Sequence, residues 1–551
     1  MRDRRHLLII PLAALFAVIP LILHGCSCGH DFTFHLHNWM EVASQWHQGI
    51  PYPHWSFTSA WNSGEPVFVF YPPISWALGA LLGLFLPWSA TPTVFTWITL
   101  TIAGLTMHRL AREFTTPTTA LIAATAYLSN PYMLFTAYER TAYAELLAAA
   151  WLPLLLLAIL RPKPTVPRIA LPIALLWLTN APAAVIGCYT AAFLTVLRIA
   201  FIYLKKQDLS PLRLALTTAV GTLSGLALAA FYILPAAYER RWVGLELANT
   251  GGMRIQDNTL FHRMGDPAHD AVLHLVSIIA TILLTATAIF AIAALIRHKT
   301  KRLSTLLTIT AGLIALLLTP LSLAIWRHAP QLPFLQFPWR FLTVTATLAA
   351  LLLALALPKI PRTAAILAAL LIPAALIQPA IKHFRQFCFS EDAVATRATL
   401  FRAGTGVEPT DYTPLQSDPE QLAHNAPPYW LSTDPQAPAP NAYIASDDAP
   451  PNPALLSHDT RPIHDRTHLH ITAPTAGFAI INLRDYPAWR VQPATPHIRR
   501  DDGLLAIHVP AGPTEITLTY THTADQLTSD AISILAAAAL LTLRRRKHLA
   551  R

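Results

Sequence analysis

Charge is what this sequence has least of. Only 13% of its 551 residues are Asp, Glu, Lys or Arg, while 54% are hydrophobic; an ordinary soluble domain carries about twice that charged share. The shortage excludes an ordinary soluble protein and puts the chain in the membrane class. Cysteine is scarce as well. Four of them do not make a disulfide framework, and Cys188, inside an apolar run, reads as a small polarizable hydrophobe. No P-loop, glycine-rich dinucleotide turn or serine-nucleophile elbow occurs in a credible setting, which leaves those chemistries without a motif. Neither an internal repeat nor a coiled-coil heptad is present. The net charge of +10 is dispersed in short clusters, so it marks topology and excludes a nucleic-acid surface.

What is there is a series of apolar runs long enough to cross a bilayer, which takes about 20 residues each. They fall near 7–25, 92–110, 117–136, 142–160, 168–182, 184–204, 214–236, 271–296, 303–325, 340–357, 362–381 and 529–543. Between them stand Arg2, Arg4 and Arg5; Arg109 and Arg112; Arg161, Lys163 and Arg168; Lys205, Lys206 and Arg213; Arg297 to Arg302; Lys359 and Arg362; and Arg544 to Lys547. With the N-terminus inside and about twelve spans, every one of these clusters falls in the cytoplasm, as the positive-inside rule requires. The short run 74–87 would invert every later loop if counted, so it is expected to be interfacial or re-entrant. The stretch Leu23-His24-Gly25-Cys26 has the outline of a lipoprotein cleavage box. His before Gly is atypical there and a multi-span chain follows, so the first run is expected to stay as a transmembrane helix.

This topology sends residues 26–91, the turn Tyr138 to Thr141, the loop 238–270, the turn 326–339 and the long segment 382–528 outside. After Asp31, the apolar residues Phe32, Leu36, Trp39, Met40, Ala43 and Trp46 recur at helical spacing, predicting an interfacial helix. Pro51 to Pro73 is aromatic and proline-rich, an irregular segment on the membrane surface. Residues 390–459 read as a loose connection. Beyond them a period of two sets in (Leu469/Ile471, Phe478/Ile480, Trp489/Val491, Leu505/Ile507/Val509, Ile516/Leu518/Tyr520), with turn chemistry at Asp502-Gly503 and Gly512-Pro513. That predicts a small β-sandwich over about 465–525. The organisation is therefore a transmembrane domain over 1–381 with its outer loop 26–91, an extracytoplasmic segment 382–528, and a last span with a basic tail over 529–551.

Chemistry is sought on the outer face. Asp31, just beyond the first span, is placed either to take a proton from an acceptor hydroxyl or to cap the helix behind it. Glu139, Arg140 and Glu145 lie at a membrane boundary, where charge is costly; Arg140 fits a phosphate and the acids an acceptor or a cation, against an intraloop ion pair. Arg340, in Phe337-Pro338-Trp339-Arg340, begins a span on the outer side against the charge rule, which suits a phosphate head group or a snorkelling anchor. Glu239, Arg240 and Arg241 form a weaker cluster. His30, His35, His37, His47 and His54 crowd the first loop at no spacing that defines a metal site; no cofactor is expected, with a divalent ion left open.

His30-Asp31, Phe34-His35-Leu36, Phe70-Tyr71-Pro72-Pro73, Tyr138-Glu139-Arg140 with Ala144-Glu145, and Phe337-Pro338-Trp339-Arg340, joined by Tyr486-Pro487-Ala488-Trp489-Arg490-Val491 and Val509-Pro510-Ala511-Gly512 in the β-rich end, together resemble the bacterial multi-pass proteins labelled "6-pyruvoyl-tetrahydropterin synthase related" and, more distantly, the YfhO-like membrane proteins. Those in turn look like glycosyltransferases of the GT-C type. The resemblance implies a polytopic α-helical GT-C-like fold in a bacterial inner membrane, where the charge pattern above puts both termini in the cytoplasm. It also implies transfer of a sugar from an outer-leaflet polyprenyl-phosphate donor to a glycan, lipid or protein acceptor, with the acid of the first outer loop as base. By position that acid is Asp31, and Arg140, Glu145, Arg340, Glu139, His35 and Tyr71 would bind substrate. The alternative is a non-catalytic carrier or assembly factor using the same cavity for a lipid-linked glycan. The chain departs from the pattern in having one acid beside a His where many GT-C enzymes carry two, and in Glu139, where relatives often have a small residue. Pterin chemistry is not expected, since the zinc-binding histidine set it requires is missing.

The topology has a direct test. A reporter active only outside the cytoplasm is expected to be active when fused near Ala439 and silent when fused after Arg551; silence at Ala439 would put the β-rich segment inside.

Overall fold

The structure, a computed structural model, describes residues 5–205, 210–244, 250–297, 301–415, 417–445 and 452–549. Arg2, Arg4, Lys206 and Lys299 of the expected basic clusters lie outside the described residues.

Apolar composition makes the helices. Among the described residues, seven are long and apolar enough to cross a membrane: Tyr143–Leu160, Ala181–Leu204, Pro211–Leu228, Pro267–Ile296, Pro338–Ala356, Arg362–Phe384 and Ala524–Thr542. Lys301–Leu317 with Pro320–His328 makes an eighth if the pair is one span, although it bends by 91°; Pro320 has no amide to continue the ladder. The other expected spans are realised differently. Ile9–His24 has 16 residues and Val166–Trp177 has 12, while Thr91–Phe114 has 24. The run 117–136 is cut in two, because Asn130 Oδ1 accepts from the amides of Tyr132 and Met133 and starts a new helix, Pro131–Tyr138, after Pro117–Leu128 ends. The short run 74–87 forms a 13-residue helix, Pro73–Phe85, about 20 Å long and too short to cross.

Outside this bundle the helix Phe32–His47 begins where expected, but it is more deeply set than an interfacial helix. Its apolar face buries Phe32, Leu36, Trp39 and Met40, and its polar face buries His35, Asn38, Glu41 and Gln45. The polar face is covered by the irregular segment 51–66: Glu41 accepts from Gln45 Nε2 at 2.9 Å, from the amide of Phe57 at 2.9 Å, and from the Thr58 hydroxyl.

The C-terminal part is a sandwich of antiparallel sheets. Its strands are β1 (Tyr429–Ser432), β2 (His468–Ala473), β3 (Gly477–Arg484), β4 (Trp489–Gln492), β5 (His497–Ile498), β6 (Leu504–Val509) and β7 (Gly512–Tyr520). One sheet runs β1-β3-β6-β5 and the other β2-β7-β4. The period of two is realised: β2 buries Leu469, Ile471 and Ala473 and exposes the residues between. Gly503 turns the chain into β6 with φ of 74°, where a side chain would be strained. Two expectations are corrected. The connection 390–459 is partly ordered, because it holds the helix Val394–Arg402 and the strand β1, whose Trp430 pairs with Ile480 of β3. The segment Pro51 to Pro73, expected on the membrane surface, instead packs Trp55, Phe57, Val69 and Phe70 into the same core as Ile471, Ile481, Trp489 and Ile507.

Two long-range links fix this arrangement. Cys28 and Cys388, 360 residues apart, form a disulfide, which the cysteine count did not suggest; Cys26 and Cys188 are free. The first loop and the start of the 382–528 segment are thereby held on one side of the membrane. The second link is an ion pair with both side chains 0% exposed: Arg484 Nη1 donates to Glu65 Oε1 at 2.7 Å. The other oxygen of Glu65 accepts from the amide and the hydroxyl of Thr410, each at 2.8 Å, and Thr413 Oγ1 donates to Oε1 at 3.1 Å. One carboxylate thus gathers the first loop, β3 and the 410–413 segment. Replacing Glu65 by Ala strands a buried guanidinium and is expected to cost about 3–5 kcal/mol, read as a lower unfolding midpoint and protease release of the β-domain. Glu65→Leu combined with Arg484→Met is expected to lose less than either single variant; an equal or greater loss would show that the ion pair is not what fixes the dock.

Candidate functional site

The site starts from a close chain crossing. Ser27 Oγ donates to the carbonyl of Tyr138 at 2.6 Å, and the amide of Asp31 donates to the carbonyl of Arg140 at 2.9 Å. Between them, a Cβ on Gly29 would lie 2.1 Å from the carbonyl oxygen of Glu139, so only glycine permits the approach. This lays 27–31 along the turn 138–141. Asp31 occupies the N-cap position of Phe32–His47, yet its side chain makes no capping hydrogen bond. Of its two expected roles, the cap is not made. The carboxylate is 41% exposed and its Oδ2 lies 3.6 Å from Arg140 Nη2.

Behind Asp31 lies a buried charge cluster. Glu145, in the first turn of the next helix, takes Arg140 Nη1 at 2.5 Å on Oε2 and the Tyr132 hydroxyl at 2.5 Å on Oε1. Arg340 Nε stands 3.4 Å from the same Oε2, and Arg340 Nη1 donates to the carbonyl of Leu335 at 2.6 Å. The aromatic neighbours expected beside Arg340 serve both arginines. Phe337 and Trp339 stack with centroids 4.8 Å apart; the Arg140 guanidinium lies 4.9 Å from the Trp339 ring and that of Arg340 4.8 Å from the Phe337 ring. Ring faces attract cations at such distances. Two guanidiniums are therefore held by one carboxylate and one aromatic pair.

Asp31, His35, Tyr71, Arg140, Glu145 and Arg340 share the wall of a single cavity of about 630 Å³. His35 is buried with its Nε2 3.5 Å from the Tyr71 hydroxyl and its ring edge-on to Tyr71 and Tyr143. Burial holds its pKa down at about 4 against the pull of Asp31, so at pH 7 it is a neutral donor and acceptor. Burial likewise keeps the Tyr71 phenol protonated.

Glu139 is not on that wall. Its carboxylate accepts from Gln386 Nε2 at 2.5 Å and stands 3.8 Å from His30, tying the turn to the segment after the Arg362–Phe384 helix, and burial pushes its carboxyl up. The cluster at Glu239 is also separate. Glu239 is buried and accepts from the Tyr486 hydroxyl at 2.5 Å and Gln526 Nε2 at 2.8 Å, joining a helix end to the β-domain and the last helix; burial raises its pKa to about 7. Arg241 stacks over Tyr238 at 3.5 Å. The first-loop histidines diverge: His35 faces Tyr71, His37 faces Thr58, and His54 stacks on Tyr520. Among the described residues no three His, Cys, Asp or Glu side chains form a group that could hold a metal ion.

Apart from His37, the roof of the cavity escaped sequence reasoning. Arg397, Phe401, Glu408 and Asp411 reach it from the segment after the disulfide, and His37 and Trp61 from the first loop. Burial raises the Asp411 carboxyl, and the charge of Asp31 raises it further, so a second acid stands within electrostatic reach of the first. The only signal was acidic and basic residues in a stretch with no periodicity.

A family model described as "6-pyruvoyl-tetrahydropterin synthase related domain; membrane protein" matches residues 68–386, a span that holds Tyr71, Arg140, Glu145 and Arg340 but neither Asp31 nor the β-domain. Among solved structures, the apo oligosaccharyltransferase of Archaeoglobus fulgidus aligns with a TM-score of 0.43 and 17% identity over 70% of this chain and 57% of its own. The arabinofuranosyltransferase AftD from Mycobacteria aligns with a TM-score of 0.42 and 17% identity over 69% of this chain and 27% of its own. The chain thus spans only part of the length of either, and likeness at this level carries no functional assignment. No curated protein matches the chain.

Proposed function

The chain belongs to the 6-pyruvoyl-tetrahydropterin synthase related family of membrane proteins, and we propose that it is a membrane glycosyltransferase of the GT-C type. It moves a sugar from a polyprenyl-phosphate donor to an extracytoplasmic glycan, lipid or protein acceptor. The observation that carries this reading is the convergence of Asp31, Arg140, Glu145 and Arg340 on one cavity at the ends of apolar helices. A phosphate ester on a lipid needs paired cations beside a hydrophobic phase, and a sugar acceptor needs a base; this cavity has both.

In the proposed reaction the acceptor hydroxyl oxygen attacks the anomeric carbon on the face opposite the phosphate. The bond from that carbon to the phosphate oxygen breaks, and its electron pair leaves with polyprenyl phosphate. The acceptor's proton goes to Asp31, whose carboxylate is free of capping bonds. Arg140 and Arg340 take the charge that develops on the phosphate oxygen, and such donors are most effective when fixed in advance. Glu145 and the Phe337–Trp339 stack supply that fixation. The Cys28–Cys388 disulfide supports an oxidising compartment for this face, and we assign the face to the outer side of an inner membrane with both termini cytoplasmic.

Purified protein supplied with a panel of polyprenyl-phosphate sugars and with methyl glycosides as hydroxyl acceptors is expected to transfer the sugar to the glycoside and release polyprenyl phosphate. Asp31→Asn should lower that release by about 10²-fold or more while leaving donor binding measurable. Binding without release in the unaltered protein would favour the lipid-linked glycan carrier instead.

A further inference from the structure

The helix Phe32–His47 carries a hydrogen-bonded chain that the reaction above does not use. On its polar face Glu41, buried, receives three donors: Gln45 Nε2, the amide of Phe57, and the hydroxyl of Thr58. The single proton of Thr58 is committed to that carboxylate. The next contact, His37 Nε2 to Thr58 Oγ1 at 2.8 Å, therefore has only one possible direction: His37 Nε2 carries the hydrogen and donates it to the hydroxyl oxygen. A neutral imidazole has one N–H, so Nδ1 is left as a lone-pair acceptor, and it has no hydrogen-bond partner among the described residues. His37 lines the cavity. The groups facing it are Thr58 from the loop, Glu41 on its own helix, and Arg397 and the Phe401 ring, 5.6 Å away, on the helix Val394–Arg402. Burial is the largest influence on its pKa and lowers it against the pull of Glu41, with the Arg397 charge acting in the same direction as burial, so the ring is neutral and Nδ1 an acceptor at pH 7.

A second observation points to the same place. The loop that supplies Thr58 continues through Ala60, Trp61 and Asn62, three successive non-glycine residues with φ of 50°, 55° and 69°. Left-handed backbone is unfavourable for such residues and persists where surrounding structure enforces it, often beside ligands. Here the enforcement is visible: Trp61 N donates to the carbonyl of Val407 at 2.9 Å, Val407 N to that of Thr58 at 2.9 Å, and Asn62 Nδ2 to Gly404 O at 3.0 Å and Ser457 Oγ at 2.9 Å. The strained turn brings Trp61 to the cavity wall with its ring stacked on His424 at 4.0 Å.

We propose that the roof of the cavity is an acceptor subsite for a hydroxyl-rich sugar, in which His37 Nδ1 accepts a hydrogen bond from an acceptor hydroxyl, with Thr58 and Glu41 as positioning residues that fix its tautomer. This rests on the transferase reading for its reaction but not for its binding.

The test uses the full chain in nanodiscs, labelled with ¹⁵N-histidine, with the methyl glycosides of glucose, galactose and mannose as probes. The His37 signals are assigned by their loss in His37→Gln. The expected result is an Nε2–H tautomer, an Nδ1 resonance that at least one glycoside shifts, and about tenfold weaker binding of that glycoside in Thr58→Val, the worth of one hydrogen bond. An Nδ1–H tautomer, or an Nδ1 resonance that none of the three probes moves, overturns the proposal, whether or not the protein turns over. In the transfer assay, His37→Gln, which keeps a group at the Nε2 position, should raise the glycoside KM about tenfold, with most of the loss in KM. His37→Asn, which keeps one at the Nδ1 position, should raise it less. Equal losses in the two variants would mark His37 as merely structural and overturn the assignment. Absence of turnover in the unaltered protein removes the transferase reading alone and leaves the resonance to decide the subsite.

Discussion

A carboxylate taken out of water must be matched by cations and donors, and Glu145 meets that requirement in a way that organises the outer half of the protein. Its two oxygens hold Arg140 at 2.5 Å, Tyr132 at 2.5 Å and Arg340 at 3.4 Å. Tyr132 lies on the helix Pro131–Tyr138, Arg140 in the turn after it, and Arg340 much later in the chain, at the start of the span Pro338–Ala356. Without Glu145, two guanidiniums would share a buried site with only Asp31 and aromatic faces to offset them, an arrangement that low dielectric makes costly. Because Arg140 is held, its backbone carbonyl is in place to receive the amide of Asp31, and the carboxylate of Asp31 comes to rest at the cavity. The proposed base and phosphate ligands are consequences of one burial.

The roof follows from a second burial of the same kind. Glu65 is enclosed with Arg484 and two threonines, so the first loop cannot leave the β-domain without exposing or stranding a charge. Between Glu145 below and Glu65 above, the helix Phe32–His47 is buried on both faces, and it is this enclosure that turns a polar helix face into a cavity wall. The disulfide from Cys28 to Cys388 ties the start of the first loop to the segment whose helix Val394–Arg402 carries the wall residues Arg397 and Phe401. Chain segments hundreds of residues apart thus meet at one site, although no single segment carries a complete motif.

How much of this could be read from sequence depended on whether the cause was local. Arg340 and Glu145 stood out because a charge at the outer end of an apolar run opposes both the charge rule and the cost of burial. The strands β2, β3, β4, β6 and β7 were legible from their period; β5, two residues long, is too short to show one. The neighbouring acids Glu139 and Glu145 were not separable, because which one faces a cavity depends on the break at Thr141, whose φ is 48°, and not on composition. The pairings of Glu65 with Arg484, Cys28 with Cys388 and Trp430 with β3 leave no periodic trace, and the roof residues Arg397 and Asp411 sit in a stretch without pattern. Apolar length alone also overstated continuity, since Asn130-Pro131 and Pro320 break runs that hydropathy reads as whole.

The central claim is that Arg140 and Arg340 receive a lipid phosphate. The most direct measurement is a structure of the chain in lipid nanodiscs with undecaprenyl phosphate. The account predicts the phosphate within about 3 Å of both guanidiniums, next to Asp31, with the isoprenoid chain running into the bilayer. A phosphate bound elsewhere, with Arg140 and Arg340 still engaged only by Glu145 and their aromatic neighbours, would contradict it.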